Sequence, residues 1–336
     1  MTRARKELVD VNETPYYHCI CRCVRRAFLC GEDHLTGNSY EHRKEWIVER
    51  LSTLSRVFAI EIGSYAIMSN HYHLVLRINE EEGLAWCDKE VARRWKKIYS
   101  WPLLVQEYLK GNGSAAERAK AQEIIQVWRE RLCDLSWYMR CLNEYLARKA
   151  NKEDHCTGRF WEGRYKCQAL LDDAAVLTCM SYVDLNPVRA RVADTPEDSN
   201  YTSIQQRINK LKHKSSPAES SNKDNKFHPV RLMALIKSDK NPHAIGFTTK
   251  DYLELVDWAG RTMRDDKRGS ISDAAPPILK QLGLDMDEFI NHVNAPVEKQ
   301  AYPRVLGPFD KIKCLAEKLQ QKFIRNQSYA LKLYKT

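Results

Sequence analysis

Residues 71–78 read His-Tyr-His-Leu-Val-Leu-Arg-Ile. Such alternation fits a strand, whose side chains point to opposite faces with a period of two. Tyr72, Leu74, Leu76 and Ile78 then make one continuous apolar face, and His71, His73, Val75 and Arg77 make the other. The apolar face has to meet helices. The two histidines are expected to project together from the open face of the sheet. Ser69-Asn70 predicts a turn just before this strand, and residues 58–68 predict another strand leading into it.

Residues 16–24, Tyr-Tyr-His-Cys-Ile-Cys-Arg-Cys-Val, alternate in the same way and predict the first strand. Asn38 and Glu41 are spaced as a capping box, and Ile47, Leu51, Leu54 and Phe58 follow at helical spacing, so a helix is expected over about 39–56. Asp88 could cap a helix running to about Tyr99. Residues 103–151 look helical, broken near Gly111–Ser114 and Cys133-Asp134. A short strand follows at 164–170. A helix starts at Asp172 or Asp173 and ends near Asn186, because Pro187 disfavours the α conformation before it. This β-α-β-β-α-β order predicts an α+β fold: a ferredoxin-like antiparallel sheet with helices on one face. The helices of 103–151 are an insertion before the last strand.

Residues 209–226 are polar and Ser-rich without an apolar period and read as a linker. It separates a first domain, 1–208, from a mostly helical C-terminal domain, 227–336. Helix signals there are Leu253 and Val256 ending at Gly260, Asp273 to Leu282 closed by Gly283, Asp285 to Val293, and Ile312, Leu315, Ala316, Leu319 and Phe323.

Among 336 residues, 54 Lys and Arg face 44 Asp and Glu, a net charge of +10, which favours an acidic partner, with nucleic acid the first candidate. The last 36 residues carry eight basic side chains against Asp310 and Glu317, so the excess is uneven. The apolar runs are too short for a membrane span, and no apolar stretch follows the charged N-terminus, so a secretory signal is not expected. Eleven cysteines, an odd number, fit a reducing compartment. Cys19, Cys21 and Cys23 share one strand face and read as small buried hydrophobes rather than metal ligands.

His71 and His73 could hold one divalent ion as neutral imidazoles, or they could be ordinary surface histidines beside a hairpin. Tyr182 and Asn186 are four residues apart on one helix face. A phenol beside a metal-bound phosphate is a usable nucleophile, and an amide oxygen a usable third ligand. A packed tyrosine and a pre-proline cap are the plainer alternative.

Together these stretches resemble a family. Met68-Ser69-Asn70-His71-Tyr72-His73-Leu74-Val75-Leu76 is similar to the histidine segment of the REP-associated tyrosine transposases, within the HUH single-strand DNA transposases. Tyr182-Val183-Asp184-Leu185-Asn186-Pro187-Val188-Arg189-Ala190 is similar to their tyrosine segment. Tyr17-His18 with Arg22 and 25–29 resembles the first strand and its exit, and 158–166 the loop into the last strand. The resemblance spans roughly residues 10–195. It implies a magnesium or manganese ion on His71 and His73, completed by Asn186. Tyr182 is then the nucleophile, leaving a 5′-phosphotyrosine and a free 3′-hydroxyl. The chain departs from the simplest members in its YxxxN spacing, its helical insertion and its long C-terminal extension.

Arg159, Phe160, Trp161, Arg164, Tyr165 and Lys166 interleave cations and aromatics, which suits a single strand. A structured loop with Phe160 and Trp161 in the core is the alternative. Arg93 and Arg94 give one helix a basic face that could touch a DNA stem or simply be solvated. The expected partner is single-stranded DNA with hairpin or palindromic repeats, and the expected protein is a cytoplasmic, nucleoid-associated monomer or homodimer. The rival is a non-catalytic regulator that binds palindromic nucleic acid.

Overall fold

The structure, a computed structural model, describes residues 9–24, 29–32, 37–215, 229–235, 245–263, 275–295, 304–322, 324 and 327–334. The first half runs β1 (Tyr16–Arg22), α1 (Arg43–Leu54), β2 (Ile60–Ile67), β3 (His71–Ile78), α2 (Glu80–Ala85), α3 (Asp88–Lys96), α4 (Leu103–Leu109), α5 (Ala115–Cys133) and α6 (Leu135–Glu153). Then come β4 (Lys166–Leu170), α7 (Asp173–Asp184), α8 (Asn186–Arg189), α9 (Ser203–Ser215), α10 (Thr249–Thr262), α11 (Pro277–Gln281), α12 (Met286–Asn294), β5 (Val305–Leu306), α13 (Phe309–Lys318) and α14 (Gln327–Leu333).

The sheet order is β2-β3-β1-β4-β5. β1 pairs antiparallel with β3 and β4, and β2 with β3, which is the ferredoxin-like arrangement expected from the element order. β5 extends the sheet parallel to β4. One face is covered by α1, α3, α5 and α6 over Tyr17, Cys19, Cys21, Tyr72, Leu74 and Leu76. Cys19, Cys21 and Cys23 are buried free thiols on that side, as expected of small hydrophobes. The inserted helices break where the sequence predicts, with Ser114 capping α5 in a capping box and Asp134 capping α6.

The histidine face is not open. α7 packs across β2 and β3 on that side, and α10, α12, α13 and α14 continue the same core. The reason lies in the sequence of α7: Ala174 through Asp184 are buried on every side of the helix. Such a helix needs the sheet beneath it and other helices above it. The C-terminal helices therefore share one core with α7 and β4, so the segment 209–226 does not separate two cores.

Other boundaries shift for local reasons. The Asn38–Glu41 capping box does not form. α1 begins at Arg43, where Arg43 Nε donates to Glu153 Oε2 at 2.6 Å, the guanidinium also pairs with Asp154, and it lies 4.1 Å from the centre of the Tyr40 ring. α3 is preceded by Cys87 as N-cap, while the Asp88 carboxylate accepts from Arg129 Nη2 and Tyr108 Oη, both at 2.9 Å. α7 ends at Asp184, and a new turn, α8, starts at Asn186 with Pro187 tolerated near its N-terminus. Residues 209–215, read as linker, belong to α9; residues 216–226 lie outside the described residues. Asp273 and Phe323, two of the helix signals, also lie outside them.

The start of α9 is tied to α7 by Asp184. This wholly buried carboxylate accepts from Ser203 Oγ at 2.5 Å, from the Ile204 N–H at 3.1 Å and from Tyr252 Oη on α10 at 2.5 Å. Asp184→Ala would orphan these donors at once. At about 1–3 kcal/mol for each buried donor left unpaired, a loss of at least ~3 kcal/mol of stability is expected, read from urea unfolding midpoints.

Candidate active site

His71 and His73 stand on β3 facing α7, and Tyr182 comes down from the last turn of α7 to meet them. Tyr182 lies edge-on to His73, with ring centres 5.8 Å apart, and edge-on to His18 of β1 at 6.1 Å. The His71 and His73 rings are 4.9 Å apart. The sequence therefore brings both histidines and the tyrosine into one cluster. The cluster is closed: Tyr182 is 2% exposed, His71 8% and His73 0%.

Further residues complete it. His18 Nε2 is 3.0 Å from His73 Nδ1, and His18 Nδ1 is 3.4 Å from Gln168 Oε1 on β4. The Arg189 guanidinium lies 4.1 Å from the Tyr182 ring centre and donates to the Val293 carbonyl at 2.8 Å. His292 of α12 lies 5.7 Å from the Tyr182 ring and 5.3 Å from that of Tyr329 on α14. The alternation of β1 places His18 on the histidine face once β1 and β3 are paired antiparallel, so His18 was within reach of sequence reasoning. His292 had no such signal, because only the tertiary packing of α12 on α7 brings it in.

Burial dominates the electrostatics. It pulls His18 and His71 down to about 3 and His292 to about 4, and holds His73 well below its ordinary value. Arg22, Arg189 and Lys166 push His71 the same way. Burial raises the Tyr182 phenol, and the adjacent Arg189 guanidinium opposes that shift without overcoming it. Asp184 is raised to about 6, again by burial first.

These shifts have signs that can be measured. A buried histidine with a depressed folded pKa leaves stability intact above its unfolded pKa of about 6.5 and loses it as the pH falls below that value. Each such group contributes up to ~1.4 kcal/mol per pH unit in that window. Asp184 acts oppositely, favouring the folded state as pH falls from about 6 towards its unfolded value of 3.8. His18, His71, His73 and His292 outnumber it, so the urea midpoint should fall steeply between pH 6.5 and pH 4. His292→Gln should flatten that slope.

Two ring nitrogens are available to a divalent ion. His71 Nε2 and His73 Nε2 are buried and have no hydrogen-bond partner among the described residues. Imidazole nitrogens on uncharged rings are what such an ion takes. Asn186 does not fit as the third ligand in this arrangement. Its Oδ1 accepts from Arg189 Nη2 at 2.6 Å, and the atom left without a partner is the Nδ2 donor, which no cation takes. α7 ends before Asn186, which opens the separate turn α8, and Arg189 bridges its amide oxygen to the Tyr182 ring. Among the described residues, no group of three or more His, Cys, Asp or Glu side chains has a metal-holding arrangement.

The basic and aromatic loop divides. Phe160 and Trp161 are 2% and 9% exposed and belong to the core, with Trp161 Nε1 donating to the Asn143 carbonyl at 3.0 Å. Tyr165 is buried beside Ser136. None of these three is a free stacking surface, because the loop uses them to close the core beneath β1 and β3. Trp161→Ala should cost about 3–5 kcal/mol of stability, seen in unfolding curves. Arg159, Arg164 and Lys166 remain exposed, although Arg159 Nε donates to the Trp161 carbonyl at 2.8 Å. Arg93 is exposed and paired with Glu90. Arg94 is structural: it is stacked on Trp86 at 3.9 Å, bound to Glu90 at 2.6 Å, and donates to the Arg56 carbonyl at 2.8 Å.

No family model matches the chain, and no curated protein matches it. Among solved structures it is similar to a REP-associated tyrosine transposase bound to a REP hairpin, at 10% identity and a TM-score of 0.37, over 70% of this chain and 92% of that one. The fold assignment stands on this chain's own strand order.

Proposed function

We propose that the protein is a metal-dependent single-strand DNA endonuclease and strand transferase, acting on hairpin or palindromic DNA through Tyr182. The observation that carries this reading is the convergence of His71, His73 and Tyr182 from separate elements into one buried cluster. His71 Nε2 and His73 Nε2, buried without a hydrogen-bond partner among the described residues, are available to an ion there.

His71 and His73 would hold magnesium or manganese, which supplies charge neutralisation and orientation of the scissile phosphate. Tyr182 Oη forms the new bond to phosphorus as the bond from phosphorus to the 3′ oxygen breaks. The phenolic proton ends on that 3′ oxygen. The products are a 5′-phosphotyrosine and a free 3′-hydroxyl, and the reverse reaction on another strand rejoins DNA without an external energy source. Arg189 steadies the developing phenolate, because its guanidinium lies against the ring. The Asn186 amide oxygen, which accepts from Arg189, would be open to the ion only if that hydrogen bond were broken. Arg159, Arg164 and Lys166 hold backbone phosphates, which positions DNA without reading its sequence. DNA would reach Tyr182 only with α12, whose His292 covers it, displaced.

One observation favours a second reading. Tyr182 is covered by α12, as suits a non-catalytic binder of palindromic nucleic acid. Incubation with end-labelled hairpin DNA and Mn²⁺ separates the two. A nuclease gives a protein–DNA adduct that survives denaturant, and a regulator gives tight binding without one. Among the described residues no helix is long and apolar enough to cross a membrane. The partner and setting proposed here are single-stranded hairpin DNA in the cytoplasm, at the nucleoid, with the protein as a monomer or homodimer.

A further inference from the structure

We infer that His18 and Gln168 form a hydrogen-bond relay that locks His73 in the tautomer with a bare Nε2, making both of them positioning residues for the metal-binding imidazole. The inference rests on the metal reading of His71 and His73 above.

The strand register assembles the relay. His18 on β1 lies opposite Gln168 on β4 and opposite Val75 on β3. His73 is two residues from Val75, so it is the diagonal neighbour of His18 on the same face. The rings of His18 and His73 stack with centres 5.2 Å apart and planes at 23°. Gln168 Oε1 can only accept, so the 3.4 Å contact requires the proton on His18 Nδ1. A neutral imidazole carries one N–H, so His18 Nε2 is an acceptor. Across the 3.0 Å contact His73 Nδ1 must then be the donor. His73 Nε2 is left with its lone pair, and that atom is buried with no hydrogen-bond partner among the described residues.

His71 reaches the same state by a separate device. Its Nδ1 lies 2.5 Å from Asn70 Oδ1, an acceptor, so its proton also sits on Nδ1 and its Nε2 is bare. Two unrelated contacts thus expose the same nitrogen on adjacent histidines. Outer partners of this kind fix the tautomer and ring orientation of metal-binding histidines, and their loss lowers metal affinity by about ten- to a hundredfold. Without the relay, His73 can carry its proton on Nε2, and that tautomer binds no ion there.

The test uses full-length protein with ¹⁵N-labelled histidine, in two measurements. Long-range ¹H–¹⁵N spectra of the metal-free protein report the tautomer of each ring. Titration with Mn²⁺ followed by electron paramagnetic resonance reports affinity. Wild type should show His73 protonated on Nδ1 and should bind Mn²⁺. Gln168→Leu and His18→Phe should release His73 into a tautomer mixture and weaken Mn²⁺ about ten- to a hundredfold. His18→Gln, which restores an acceptor, should recover much of the loss. The His71 tautomer should not move in any of them, which separates relay loss from general damage. Gln168→Leu keeps the test open should His18→Phe fail to fold. A wild-type His73 protonated on Nε2 would overturn the relay. So would Gln168→Leu and His18→Phe proteins with unchanged tautomer and affinity. A wild type with the relay tautomer but no Mn²⁺ binding would sink the metal reading instead and leave the relay standing.

Discussion

Tyr182→Phe is expected to abolish covalent attachment of the protein to hairpin DNA, by at least ~10³-fold, while leaving folding and DNA binding intact. The substitution removes only the oxygen that would bond to phosphorus. The ring stays packed against His18, His73 and Arg189, so the cation–π contact at 4.1 Å and the edge contacts survive. Loss of one partly compensated hydroxyl should change stability by only about 1 kcal/mol. Denaturing gels of labelled DNA and urea unfolding of the same variant measure the two effects. An adduct persisting at wild-type level would move the nucleophile to another residue. Tyr138 is a poor substitute, since it is wholly buried against Phe58 on the opposite face of the sheet.

His73→Ala is expected to reduce Mn²⁺ affinity by at least ~10²-fold and to bring cleavage down in parallel. That effect should exceed that of an outer partner of the imidazole, typically ten- to a hundredfold. The residue supplies one of the two buried ring nitrogens without a partner, and its removal also strands His18 Nε2. Hairpin affinity without metal should change little, because the exposed cations Arg159, Arg164 and Lys166 lie outside the cluster. Mn²⁺ titration beside a filter-binding assay checks both halves. Equal loss of DNA binding and metal binding would mean that His73→Ala had damaged the fold.

The part of the fold that depends on local pattern was legible in the sequence. Alternation placed β1 and β3, turn residues placed the hairpin, and the breaks at Gly111–Ser114 and Cys133-Asp134 separated α4, α5 and α6. The faces of the sheet were harder. Period two says which residues share a face, but not whether a distant segment covers it. The histidine face was read as open, yet α7 is buried around its whole circumference and shares its core with α10, α12, α13 and α14. The same packing brings His292 to Tyr182 and closes the site. Asn186 shows a second limit. Its spacing from Tyr182 is right for one helix face, but Leu185 breaks the helix and Arg189 takes the amide oxygen. The loop aromatics Phe160 and Trp161 show a third, because the same interleaving of rings and cations can serve a core or a strand of DNA.

Mass spectrometry of the DNA-linked protein tests the central claim most directly. After reaction with a hairpin oligonucleotide and Mn²⁺, the protein is digested with nuclease and protease. A 5′-phosphodeoxynucleotide is expected on the peptide that carries Tyr182, absent in Tyr182→Phe and in His73→Ala. A nucleotide on a different residue, or hairpin binding with no modified peptide, would contradict it.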